Sequence, residues 1–113
     1  MRLIFFVAAI AVTSAASRLA AEELGNAQRG LAYAQANCAG CHAILRDDTN
    51  SPNPDSPAFK AVADTPGMTR TALSVFFRSP HPTMPNLIIA PEDADDLIAY
   101  IMSLKGDAAP TPN

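Results

Sequence analysis

The stretch that decides the reading is Asn37-Cys38-Ala39-Gly40-Cys41-His42-Ala43, which carries the spacing C-x-x-C-H over residues 38–42. Two thiols separated by two residues at the end of a helix can add across both vinyl groups of a haem, and the imidazole of the next residue then reaches the iron. Three attachments within five residues leave the chain almost no freedom around the macrocycle. The motif therefore assigns Cys38 and Cys41 to one covalently held haem c, with His42 as proximal iron ligand. Two other readings of C-x-x-C compete. A thiol–disulfide redox site expects a βαβ setting, which the flanking sequence lacks, and leaves His42 without a role. A zinc site needs about four ligands, and His81 is the only other histidine in the chain.

Outward from the motif, the sequence is helical and punctuated by proline. Leu24, Ala27, Leu31 and Ala34 fall at helical spacing in an alanine-rich run, which predicts a first helix from Leu24 to Asn37. From Arg46 to Pro57 the run RDDTNSPNPDSP consists of turn-formers and contains three prolines, so an irregular loop follows. Short helical patterns recur in PAFKAVAD and in TRTALSVFFR, the latter with Thr69 as N-cap and with Leu73, Phe76 and Phe77 on one face. The run SPHPTMP, residues 79–85, has three more prolines and is not a helix interior. A last helix is the best defined. Pro91 opens it, Glu92 and Asp93 occupy its first turn, Ala94, Leu97, Ile98 and Ile101 repeat at 3.6 spacing, Lys105 stands near its end and Gly106 terminates it. The fold class is all-α, with three or four short helices joined by proline-rich loops. By itself this is a poor core for so small a chain, and a haem supplies the missing bulk.

The 113 residues, 49% hydrophobic and 17% charged, are enough for one small domain. Arg2, an unbroken apolar run from Leu3 to Val12 and then small residues follow the order of a secretory signal peptide. Cleavage after Ala16 or after Ala21 fits the small-residue rule to different degrees. The expected division is a leader over residues 1–21, a haem domain over 22–106 and a frayed tail over 107–113. The apolar run is about half of what a membrane span needs, so no stable membrane insertion is expected after cleavage. Export points to the periplasm, where two unmodified thiols would not persist. Loss of Arg2 and Arg18 leaves six basic against eleven acidic residues, a net charge of −5. Such a surface argues against nucleic acid, which needs a face rich in lysine and arginine.

The sixth iron position decides between an electron carrier and a catalyst. Met1 leaves with the leader, Met102 lies within the last helix, and Met68 lies in a turn. Met84, between Pro82 and Pro85 and about forty residues beyond His42, sits in a stiff loop long enough to pass round the haem edge. Met84 is thus the expected second metal ligand, with His81 as competitor.

The runs GLAYAQANCAGCHAI, HPTMPN and DLIAYIMSLK together resemble the class I, mitochondrial-type c-type cytochromes, in particular the small periplasmic monohaem proteins of alphaproteobacteria. The likeness covers about Gly30 to Lys105. It implies a cytochrome c fold in which the N- and C-terminal helices cross near right angles against the haem, with Gly30 and Tyr100 at the crossing. It also implies that a proline carbonyl in the loop after the motif accepts from the unliganded nitrogen of His42. Ser56-Pro57-Ala58-Phe59 is the best match, which nominates Pro57 and Phe59 as cofactor-binding residues, with Pro52 and Pro54 as rivals for the carbonyl. The chain has no Trp, so an indole bond to a haem propionate is excluded; the propionate bond is made by another donor, for which Tyr33, Arg78 and Asn86 are candidates, or is absent.

The function expected is that of a periplasmic one-electron carrier and not an enzyme. Its iron would cycle between Fe(III) and Fe(II) with His42 and Met84 bound, linking a dehydrogenase or quinol-oxidising complex to an oxidase or reductase. A thioether ligand raises the potential, and burial among Phe59, Phe76, Phe77, Leu87 and Leu97 acts in the same direction. With Lys60 and Lys105 as its only lysines, the chain, expected to be a monomer, should meet redox proteins through basic or apolar docking surfaces. The acidic runs Asp47-Asp48 and Glu92-Asp93-Ala94-Asp95-Asp96 would steer that encounter, although helix-dipole stabilisation alone also accounts for the second. Two alternatives differ in class: a haem subunit dedicated to one periplasmic enzyme, and a haem protein with an open sixth site for peroxide or small gases.

Overall fold

A computed structural model of the chain describes residues 25–80, 83–84 and 88–107; the expected leader and most of the expected tail lie outside them. Four helices follow in order: α1 (Ala27–Asn37), α2 (Phe59–Asp64), α3 (Arg70–Phe77) and α4 (Pro91–Ser103), with no strand among the described residues. Each start has a local cause. Asn26 caps α1, its side-chain oxygen accepting from the Arg29 amide at 3.0 Å. Thr69 caps α3 in the same way, accepting from Ala72 at 3.1 Å. Pro91, whose missing N–H costs nothing in a first turn, opens α4, and Glu92 and Asp93 follow in that turn.

Helix α1 begins three residues later than the apolar spacing from Leu24 predicts. Gly25 has a φ of 81° and Asn26 an extended conformation, both outside the helical region. The last helix also stops short of Lys105. Its final turn closes at Leu104, Gly106 takes a φ of 73°, and the Lys105 ammonium donates to the Met68 carbonyl at 2.8 Å.

Helix α4 is the hub, packing on α1 most extensively and on α2 and α3 as well. Its inner stripe supplies Leu97, Ile98, Ile101 and Leu104 to a core that also takes in Ala34 of α1 and Leu73 of α3. At the crossing of α1 and α4 the backbones touch. A Cβ on Gly30 would overlap the carbonyl oxygen of Asp96 and stand 2.7 Å from the Cβ of Tyr100, so glycine is the residue the approach requires. Tyr100, buried, spans from there to the loop after the haem motif and donates its hydroxyl to the Ile44 carbonyl at 2.7 Å.

Charge locks the same crossing. Asp96 is buried and accepts from the Asn26 amide at 2.6 Å and from Arg29 Nε and Nη2 at 2.6 and 3.1 Å. The Arg29 hydrogen bond holds its carboxyl below the usual carboxylate range, against the opposing effect of burial. Of the acidic run at the start of α4, Asp96 is thereby withdrawn from the surface. At the other end of α4, Arg46 donates to the carbonyls of Ser103, Leu104 and Gly106 at 2.5, 3.1 and 2.9 Å, satisfying acceptors that the helix cannot. Asp64 accepts from the Gly106 amide at 2.8 Å and pairs with Lys60.

Candidate functional site

The C-x-x-C-H residues form the turn that closes α1. Cys38 and Ala39 donate their amides to the Ala34 carbonyl at 2.8 and 3.0 Å, and Cys41 and His42 both donate to the Cys38 carbonyl, at 3.1 and 2.9 Å. Two cysteines and a histidine are in this way folded back over five residues. The two thiols are unpaired with each other; Cys38 is buried in the core and Cys41 is exposed. Burial pushes the Cys38 thiol up to about 11.

His42 is half-buried, and its Nδ1 lies 2.7 Å from the carbonyl oxygen of Pro57. A carbonyl can only accept, so Nδ1 carries the hydrogen and Nε2 is the ring nitrogen left for a metal. Phe59 stands beside the ring, with centroids 5.3 Å apart at 49°. It is the first residue of α2 and is buried. Pro57 and Phe59 therefore reach His42 from one short segment, whereas Met84 is half-buried in the separate connection between α3 and α4. Met68 and Met102 pack against the core. His81, Asn86 and Leu87 lie outside the described residues.

The apolar surroundings divide. Phe59 and Leu97 belong to the same core cluster as Cys38, and Phe77 packs against it. Phe76 departs from the face expected of it. It is 46% exposed and meets Phe77 edge-on at 5.9 Å, while Leu73 of the same helix is buried in the core. Tyr33 also packs against the core, and burial, followed by Cys38 and Asp93, pushes its phenol up. Arg78 is exposed beside Phe77, Ile89 and Asp95 along a shallow cleft.

Sequence reasoning passed over Arg29, Arg46, Ser51 and the structural use of Asp96. For Asp96 a signal existed, since it lies four residues before Tyr100 on the stripe that meets Gly30. Arg46 and Ser51 sit in a loop without periodicity, and no local pattern marks them.

The donor set fits covalent haem: two thiols free of a disulfide, and an imidazole whose tautomer is set with Nε2 as acceptor. Among the described residues no three His, Cys, Asp or Glu side chains converge on a common point, and no helix is long and apolar enough to cross a membrane. The family model described as Cytochrome c matches residues 27–105. The chain is 35% identical over 96 residues to "Cytochrome c-552" of Bradyrhizobium diazoefficiens, covering 85% of this chain and 88% of that protein. No solved structure matches it.

Proposed function

The chain belongs to the cytochrome c family, an electron-transfer protein carrying covalent haem c and not an enzyme, and on that footing we propose that His42 and Met84 would hold its iron. When bound, the haem supplies a one-electron Fe(III)/Fe(II) couple. Cys38 and Cys41 provide the sulfurs for its two thioether links. His42 offers Nε2 to the metal while Pro57 holds the opposite side of the ring, which makes the imidazole a stronger donor and prevents it from rotating. Phe59 braces the ring from the core, and Met84 offers a soft sulfur from the second segment. With His42 and Met84 both holding the iron, electron transfer would need little rearrangement and no substrate would have to reach the metal.

The observation that carries this reading is the 2.7 Å contact of His42 Nδ1 with Pro57, two residues before Phe59. It leaves one nitrogen free, on the residue that directly follows the second thiol. The export signal supports a carrier of the periplasm with a leader removed near residue 21, and the acidic balance supports redox partners that dock through basic or apolar surfaces.

The test is optical. The oxidised wild-type holoprotein is expected to show a methionine-to-iron charge-transfer band and to resist cyanide and carbon monoxide. Met84→Ala should lose the band and bind both rapidly. A wild type that binds carbon monoxide at once would favour the open-site alternative, and persistence of the band in Met84→Ala would place the ligand elsewhere.

A further inference from the structure

We propose that Ser51 is a positioning residue for His42, setting the strength of the hydrogen bond between the ring and Pro57. The inference rests on His42 being the proximal ligand. Residues 41–43 and 51–59 lie side by side, joined by four hydrogen bonds. The Asn53 amide donates to the Cys41 carbonyl at 3.1 Å, the Phe59 amide donates to the Ala43 carbonyl at 2.9 Å, His42 Nδ1 meets the Pro57 carbonyl at 2.7 Å, and the Ala43 amide donates to Ser51 Oγ at 3.0 Å.

Three of these bonds end on backbone oxygens. Ser51 alone contributes a side-chain acceptor, and it does so at the residue next to His42. The loop between is drawn tight by its own turn, in which Asn53 accepts from Asp55 through its side chain and from Ser56 through its carbonyl, at 3.0 Å each. With residues 53–56 held as one turn, Ser51 and the Asn53 amide together fix the near end of the segment that carries Pro57, and the Phe59 amide fixes the far end. With the Ser51 bond gone, the near end is held by the Asn53–Cys41 bond alone, the Pro57 carbonyl gains freedom relative to Nδ1, and the bond weakens.

Ala43 is 2% exposed, so its amide depends on this acceptor. Ser51 itself is half-buried and lines a groove of about 480 Å3 along with Pro54, Pro57 and Lys60. Removing its hydroxyl therefore lets water into the place of the acceptor instead of collapsing the fold, and the expected damage is confined to the loop.

The experiment uses the haem-loaded protein, labelled with 15N, in its ferrous state. In Ser51→Ala the His42 Nδ1 proton and the Ala43 amide should exchange with solvent about tenfold faster than in wild type, the factor expected from weakening one hydrogen bond. The reduction potential should rise, because a less polarised imidazole gives less electron density to the metal. Ser51→Thr, which keeps the hydroxyl, should restore both. Thr69→Ala, which removes the cap of the distant α3, should lower the melting temperature while leaving potential and ring exchange unchanged. If Ser51→Ala leaves both at the wild-type value, or if Thr69→Ala moves them equally, the proposal fails. Should Ser51→Ala yield no holoprotein, wild type still decides: an Ala43 amide that exchanges as fast as the exposed loop amides overturns it. Absence of hyperfine-shifted His42 ring signals in the oxidised wild type would instead refute the proximal assignment on which it rests.

Discussion

The α1–α4 crossing and the loop cradle around His42 are both tight, but they are tight for opposite reasons. At the crossing, shape and charge are set by side chains: glycine permits backbone contact at residue 30, and the Asp96–Arg29 pair holds it. In the cradle three of four bonds end on backbone oxygens, and a single serine supplies the one side-chain acceptor. The crossing therefore sets whether the chain folds, while the cradle adjusts the histidine proposed to hold the iron. Substitutions at the first should move stability and leave the haem spectrum alone. At the second the reverse should hold.

The largest effect is expected at Gly30. Gly30→Val forces the helix backbones apart, and a loss of about 3 kcal/mol or more is expected, at or above the upper end for overpacking. Thermal melting of the holoprotein measures it, and a variant as stable as wild type would show that the helices do not meet at that point. The next largest comes from Asp96→Asn, which keeps an acceptor for Asn26 but loses the charged partner of Arg29, at a cost of about 1.5 kcal/mol. Its signature is pH dependence. The folded carboxyl is held below its ordinary value, so fewer protons are bound in the folded state. The stabilisation is complete above the ordinary carboxylate range and is lost as pH falls through the depressed folded value. Acid titration of stability should thus be steeper in wild type than in Asp96→Asn; equal slopes would remove Asp96 from the crossing.

Phe59→Leu sharpens the contrast from the other side. A near volume-conserving change should cost only about 1 kcal/mol. It removes the ring packed 5.3 Å from His42, so the histidine resonances should shift in proportion far more than the melting temperature does. If stability falls sharply and the resonances stay in place, the aromatic serves the core and not the ligand.

How much of this was legible beforehand differs by residue. Thr69 as a cap, Pro91 at a first turn and Gly106 at a stop act within a few residues, so they read directly from sequence. The late start of α1 did not, because the apolar spacing extends through Leu24 while Gly25 and Asn26 turn the backbone out of the helix. Phe76 was misread for the opposite reason. Spacing gives a face to each helix but does not say how much of it the neighbouring helices cover. For Asp96 the stripe that meets Gly30 marks the position, but its partner Arg29 lies 67 residues away; Arg46 sits in an irregular loop and its partner Leu104 lies 58 residues away, so neither partner shows in a local pattern.

Sequence alone determined the all-α character, the proline-rich connections and the pairing of two thiols with an imidazole, since each depends on covalent spacing or on interactions within one helical turn. Tertiary structure decided which loop carbonyl meets His42, which acidic residue is buried at the crossing and which side chain completes the cradle. Those choices join residues beyond one helical turn, from the neighbouring loop segments around His42 to the ends of the chain at the crossing, where distance and desolvation select the partner and spacing carries no information.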